Sequence, residues 1–162
     1  MAPQPAYEEP EPAQSQLTPV SSDDARALAP KAGEALAGRK VLVVDDDIRN
    51  VFAMTSALET HGMKVLHADS GKEGIETLER EHDVDAVLMD VMMPGLDGLD
   101  TIRLVRELDG YRGLPIIAVT AKAMLGDREK CLEAGANDYV AKPVNVDVLL
   151  ATLWRALQAT HA

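Results

Sequence analysis

Between Lys40 and Asp47 the chain reads Lys-Val-Leu-Val-Val-Asp-Asp-Asp, four consecutive aliphatic side chains closed by three carboxylates. A half-exposed strand would alternate polar and apolar residues, whereas a run apolar at every position fits a short strand covered on both faces. The pattern recurs at 64–68, 86–89, 115–119 and 139–141, and the stretches between these runs have helical period. The first, 48–61, puts Val51, Met54, Ala57 and Leu58 on one face and ends at Gly62, where glycine supplies a left-handed cap at low cost. The second opens with a capping box, Ser70-x-x-Glu73, and offers Ile75 and Leu78 for burial. The third, 98–108, spaces Ile102, Val105 and Leu108 for one face. The fourth spans 125–134 and stops at Gly135. The last, 145–158, has Asn145 as N-cap and a stripe through Leu149, Leu150, Leu153, Trp154 and Leu157.

Five strands alternating with five helices imply an α/β fold, a parallel sheet with helices on both faces and right-handed crossovers. A closed eight-stranded barrel needs about 200 residues or more, so an open doubly wound sheet is expected. The order suited to five strands is the flavodoxin-like 2-1-3-4-5, which opens a crevice beyond the carboxyl ends of strands 1 and 3.

Composition sets the boundaries. Residues 1–38 carry six of the nine prolines, six acids and two bases, with little aliphatic periodicity. They read as a disordered acidic, Pro-rich tail or linker, in which 24–36 is at most transiently helical, leaving 39–160 as the globular unit. The net charge of -11 repels phosphate backbones and anionic lipid, so neither direct nucleic-acid binding nor a membrane role is expected. A single cysteine, Cys131, excludes an internal disulfide and suits a reducing compartment, and no apolar run is long enough to span a bilayer. A cytoplasmic location is the expectation.

Function is written at the strand ends. Asp45, Asp46 and Asp47 follow strand 1, Asp90 follows strand 3, Thr120 ends strand 4 and Lys142 follows strand 5. In the expected order those ends are neighbours, so residues far apart in the chain converge on one pocket. Clustered carboxylates repel one another unless a cation neutralises them, and an all-oxygen set suits magnesium, which keeps positions open for water and phosphate oxygens. Lys142 adds a point positive charge and Thr120 a hydroxyl. The set describes a place where a phosphoryl group on a carboxylate is stabilised during transfer. Asp90 is the best nucleophile candidate, since Pro94 and Gly95 close the following turn; Asp45 and Asp46 would hold the metal.

The runs "VLVVDDD", "VLMDVMMPGLDG", "IIAVTA" and "AGANDYVAKPV" resemble, in order and over nearly all of 39–160, the receiver domain of two-component response regulators, and "TAKAMLGDREKCLEAGANDYVAKPV" is similar to receivers associated with hybrid histidine kinases. The resemblance implies that Asp90 is the phosphoacceptor, that Asp45, Asp46 and Asp90 itself hold Mg2+ with the backbone carbonyl of Met92, and that Lys142 pairs with the phosphoryl oxygens. It further implies that Thr120 is the switch hydroxyl, that Tyr139 is the aromatic switch partner that rotates inward on phosphorylation, and that the Lys142–Pro143 bond is cis. The implied donor is a histidine kinase or a histidine phosphotransfer protein, and the implied homodimer or docking face is the fourth helix, fifth strand and fifth helix. With no output domain after residue 160, the expectation is a phosphoacceptor module that is not an enzyme beyond its own phosphorylation and dephosphorylation, either standing alone or as a receiver fragment of a hybrid histidine kinase.

Asp45-x-Asp47 with Thr120 and Lys142 superficially resembles a haloacid-dehalogenase-type phosphatase, but Arg49 stands where that family has a small hydroxyl residue, and no acidic pair follows the lysine. Asp47 is expected to cap the first helix rather than bind metal, and Arg49 and Asn50 to lie at the surface. His61, His67, His82 and His161 show no ligand spacing. Cys131 reads as a packing or surface thiol, and Trp154 as part of the core or of the outer face of the last helix.

Overall fold

The computed structural model describes residues 22–91, 98–108, 110–111, 113–120, 125–142 and 144–161. In chain order the elements are α1 (Ser22–Leu36), β1 (Lys40–Val44), α2 (Ile48–Thr60), β2 (Lys64–Ala68), α3 (Gly71–Arg80), β3 (Ala86–Asp90), α4 (Gly98–Glu107), β4 (Ile116–Thr120), α5 (Leu125–Ala134), β5 (Asp138–Ala141) and α6 (Val146–His161). The strands form one sheet in the order β2-β1-β3-β4-β5, all parallel, as the alternation of apolar runs requires. Val41 pairs with Val65 on one side and Ala86 on the other, Asp90 with Val119, and Thr120 with Ala141, so the strand ends carrying polar groups lie level.

Alternation along each strand divides the core in two. Val41, Val43, Leu88, Ile117, Val119 and Val140 face α2 and α6 through Leu58, Leu149 and Leu153. Leu42, Val44, Val87, Met89, Ile116 and Ala118 face α3, α4 and α5 through Leu78, Ile102 and Cys131. Only β3 and β4 are buried throughout; β2, at the sheet edge, buries Ala68 fully and leaves Lys64 and His67 exposed.

Local signals hold at the helix ends. The Asp47 carboxylate accepts from Arg49 N at 3.0 Å, Ser70 Oγ from Glu73 N at 3.1 Å, and Asn145 Oδ1 from Val148 N at 3.2 Å. The Glu73 carboxylate reaches back to Asp69 N at 2.7 Å, one residue before its usual target in a capping box. Gly62 and Gly135 take φ of 83° and 120°, left-handed values open to glycine.

The expected boundary at residue 39 needs correction. Residues 22–36 form a full helix whose Ala25, Ala29, Ala32 and Leu36 are buried, with Ala32 and Leu36 part of the α2/α6 core. Two physical reasons hid it. Alanine carries so little apolar area that a stripe of alanines barely registers as periodicity, though it permits close helix approach. Pro30 reads as a helix breaker, yet it sits on the exposed face. There its missing N–H removes one helical hydrogen bond without disturbing the packed side.

Candidate functional site

Each strand that delivers a polar residue to the carboxyl edge is fixed by its neighbours. Asp45 N donates to Ala68 O at 3.0 Å, Val91 N to Val119 O at 3.1 Å, and Lys142 N to Thr120 O at 2.8 Å, so the ladder continues past the last strand residue at three of the ends. Asp45 and Asp90 are 1% and 3% exposed, Thr120 is buried, and Asp46 is exposed at the rim. Carboxylate oxygens of Asp45, Asp46 and Asp90 lie within 4.8 Å of one another. Lys142 Nζ stands 3.5 Å from Asp90 Oδ1 and 3.7 Å from Asp45 Oδ2, the single cation facing both buried acids among the described ion pairs.

The electrostatics follow from that crowding. Burial pushes the Asp45 carboxyl above the usual carboxylate range, the negative charge of Asp90 adds to the rise, and the Asp47 N–H (2.8 Å to Oδ1) and Lys142 work against it. Asp47 behaves oppositely: the Arg49 guanidinium, bonded to both its oxygens, holds its carboxyl below the usual range. Asp47 is thus occupied by the helix cap and by Arg49, which leaves the D-x-D pair of the phosphatase reading without its second member.

A hard cation fits this donor set. All three side chains offer oxygen, one is open to water, and among the described residues Asp45 Oδ2 is buried with no hydrogen-bond donor, its nearest cation being Lys142 Nζ at 3.7 Å. A lone pair shielded from water and left without a donor is costly, and a metal ion is one partner that would satisfy it. The expected fourth contribution, from the Met92 carbonyl, and the expected cis bond before Pro143 fall on residues outside the described ones.

Tyr139 lies on β5 and is 8% exposed, packed in the layer of Met89 and Ala118. Cys131 is a buried packing thiol. Arg49, His67 and His82 are exposed, His61 is half-buried, and His161 has no described side chain. Trp154 is half-buried against α1.

Two groups with distant partners carry no mark in the sequence, Gly98 beside the site and Arg106 at the opposite edge of the sheet. A Cβ on Gly98 would collide with the Asp90 carbonyl oxygen and lie 2.5 Å from Val91 Cα, so only glycine lets α4 start against the phosphoacceptor candidate's backbone. Nothing in the local text separates Gly98 from any glycine near a helix start. Arg106, half-buried on α4, donates to Gly135 O at 2.9 Å, Tyr111 O at 2.9 Å and Asn137 Oδ1 at 2.8 Å. Asn137 Oδ1 also accepts from Ile116 N at 2.8 Å, and this network ties the starts of β4 and β5 together. An isolated arginine carries no sequence mark for such a role.

Residues 41–154 match the family model of the response regulator receiver domain. The chain belongs to that family. It is similar to the protein PilH of Pseudomonas aeruginosa, 38% identical over 70% of this chain and 93% of PilH. It is similar also to hybrid signal transduction histidine kinase I of Dictyostelium discoideum, 38% identical over 73% of this chain but only 7% of the kinase. The chain thus spans a small part of such kinases and nearly all of single-domain regulators. Among solved structures, the receiver domain of a Pseudomonas aeruginosa sensor histidine kinase, with a magnesium ion coordinated in its active-site cleft, is 39% identical with a TM-score of 0.69, covering 75% of this chain and 99% of that one. This chain is a receiver domain of two-component signalling. The family is one of signalling proteins rather than of conventional enzymes, and its members partner with histidine kinases or phosphotransfer proteins. No described helix is long and apolar enough to cross a membrane.

Proposed function

We propose that Asp90 accepts a phosphoryl group from a phosphohistidine of a kinase or phosphotransfer protein, in the cytoplasm. In the step an Asp90 carboxylate oxygen forms the new P–O bond while the P–N bond breaks, and the imidazole nitrogen leaves with the electron pair. The single observation that carries this reading is the convergence of Asp45, Asp46 and Asp90 within 4.8 Å, with Lys142 Nζ facing the two buried acids.

Each side chain has a part. Asp45, Asp46, Asp90 and the Met92 carbonyl would hold Mg2+, which when bound supplies positive charge next to the phosphoryl oxygens. Lys142 pairs with a phosphoryl oxygen and offsets the negative charge added to Asp90. Thr120, at the end of β4, donates its hydroxyl, and Tyr139 repacks with it. That rearrangement shifts the population of the α5–β5–α6 face, where a homodimer or a downstream protein binds. A donor has an apolar foothold beside the pocket. Ile48 and Phe52, one turn apart at the start of α2, are 70% and 73% exposed. Ile48 follows directly on the Asp47 cap, and Phe52 lies one turn later.

The test is incubation of the protein with acetyl phosphate and magnesium, read by intact mass. A gain of about 80 Da, the mass of one phosphoryl group, is expected for the wild type, and none for Asp90→Asn or in EDTA. A gain that persists in Asp90→Asn and disappears in Asp45→Asn would move the nucleophile to Asp45 and overturn the reading.

A further inference from the structure

Three carboxylates follow β1 in succession, yet only two of them reach the cation site. Oxygens of Asp45 and Asp46 converge with one of Asp90 within 4.8 Å, and Asp47 does not belong to that group. Arg49 accounts for the difference. Asp47 Oδ1 accepts from Arg49 N at 3.0 Å and from Nε at 3.2 Å, and Oδ2 accepts from Nη2 at 3.0 Å, so the planar guanidinium meets the carboxylate at both oxygens. The arginine side chain is 86% exposed and that of Asp47 33%. An ion pair this open to water adds little to stability. Its consequence lies in the field at the pocket.

Asp47 is within reach of that field. Its N–H donates to Asp45 Oδ1 at 2.8 Å, and Lys142 adds to the lowering of its carboxyl, after the larger effect of Arg49. Among the described residues, four carboxylates, those of Asp45, Asp46, Asp47 and Asp90, therefore stand with two cations, Lys142 and Arg49. With all four acids ionised the balance is two negative charges, which one divalent ion cancels. Without Arg49 the magnesium-loaded pocket would keep a negative charge in the path of a phosphoryl donor that is itself an anion, and like charges lower the rate of encounter.

We propose that Arg49 is a specificity-determining residue of the phosphorylation pocket: by compensating Asp47 it holds the magnesium-loaded site near neutrality and so admits small anionic phosphoryl donors to Asp90. Arg49 acts through Asp47 and needs no contact with the metal or the phosphoryl group. The donor half of this inference rests on Asp90 being the phosphoacceptor; the effect on metal binding does not.

The test uses the full chain with Arg49→Ala, Arg49→Lys, Asp47→Ser and the double variant Asp47→Ser/Arg49→Ala; serine keeps an N-cap at the start of α2. Magnesium is titrated calorimetrically. Phosphorylation by acetyl phosphate, in which an Asp90 oxygen bonds to phosphorus and acetate leaves with the electron pair, is timed by intact mass at low and high salt. At low ionic strength Arg49→Ala should bind Mg2+ about two- to fivefold more tightly, as one uncompensated charge several ångströms away in water requires. Its phosphorylation should slow by a similar factor, through a higher KM for acetyl phosphate rather than a lower maximal rate. Asp47→Ser should shift both quantities the other way. Arg49→Lys and the double variant, which keep the net charge, should stay near the wild type, and all differences should shrink at about 1 M salt, where screening acts within about 3 Å. An Arg49→Ala chain that binds Mg2+ and uses acetyl phosphate as the wild type does would overturn the proposal. So would a slowing that persists in high salt or in the double variant, because its cause would then be local structure rather than charge. A wild type that takes up no phosphoryl group would instead sink the phosphoacceptor reading, while the magnesium titrations would still decide the charge balance.

Discussion

Asp90→Asn should make the magnesium-free protein more stable while abolishing its phosphorylation. The Coulomb terms alone nearly cancel. At an effective dielectric constant of about 20, two like charges within 4.8 Å repel by at least roughly 3.5 kcal/mol, and Lys142 at 3.5 Å attracts Asp90 by roughly 4.7 kcal/mol. The difference, about 1 kcal/mol, favours keeping the charge. Desolvation decides the sign. Asp90 is 3% exposed, and removing an ionised carboxylate from water costs several kcal/mol, much more than burying a neutral amide that keeps hydrogen-bonding capacity. The net expectation is a gain of about 1 to 3 kcal/mol, or a melting temperature higher by roughly 5 °C for a domain of this size. Scanning calorimetry in EDTA measures it directly. Magnesium should then raise the wild-type midpoint more than the variant's, because the ion relieves a repulsion that the variant no longer has. A variant that melts below the wild type in EDTA would refute the argument, since the Lys142 pairing would then outweigh desolvation and repulsion together.

Magnesium affinity, followed by titration calorimetry, should fall as pH drops from 8 to 5. The Asp45 carboxyl holds its proton to a higher pH than an ordinary carboxylate, and that proton must leave before the metal binds. Asp45→Asn should bind more weakly at pH 8 and lose most of the pH dependence. Because the folded form of Asp45 takes up a proton more readily than the unfolded form, its contribution to stability is greatest at low pH and is lost as pH rises through the elevated range. Gly98→Ala should lower stability by about 1 to 3 kcal/mol in urea titrations, the usual range for overpacking. It should also slow phosphorylation by acetyl phosphate, because the Asp90 backbone has to yield to the new methyl group. Leu36→Ala should cost about 2 to 4 kcal/mol in the same titrations, whereas a solvated tail residue would change nothing.

The sheet was legible because its signal is strong and redundant. Each central strand is an unbroken aliphatic run, and the residue after it is polar, as at Val44-Asp45 and Met89-Asp90. Caps at Asp47, Ser70 and Asn145 were legible too, because a cap is decided within four residues. What escaped notice depends on partners distant in the chain. Ala25, Ala29 and Ala32 become core residues only because α6 lies beside them. Gly98 matters only because the Asp90 carbonyl is where its side chain would be. The convergence of Asp45, Asp90 and Lys142 could be inferred from topology, but the burial of Asp45 Oδ2 with no hydrogen-bond donor among the described residues is a matter of ångströms that no pattern encodes.

The order β2-β1-β3-β4-β5 has a further consequence for how the protein comes into being. No two adjacent strands are joined by a hairpin, so the sheet has no short-range nucleus, and the pocket draws on residues from 45 to 142. Sheets dominated by distant pairings fold slowly compared with helical bundles. During synthesis the acid cluster stays without its lysine until β5 has left the ribosome and docked on β4 through Lys142 N and Thr120 O. Competence to accept a phosphoryl group is then a late event of folding, and a chain truncated before residue 138 should be inert as a phosphoacceptor even with its aspartates intact.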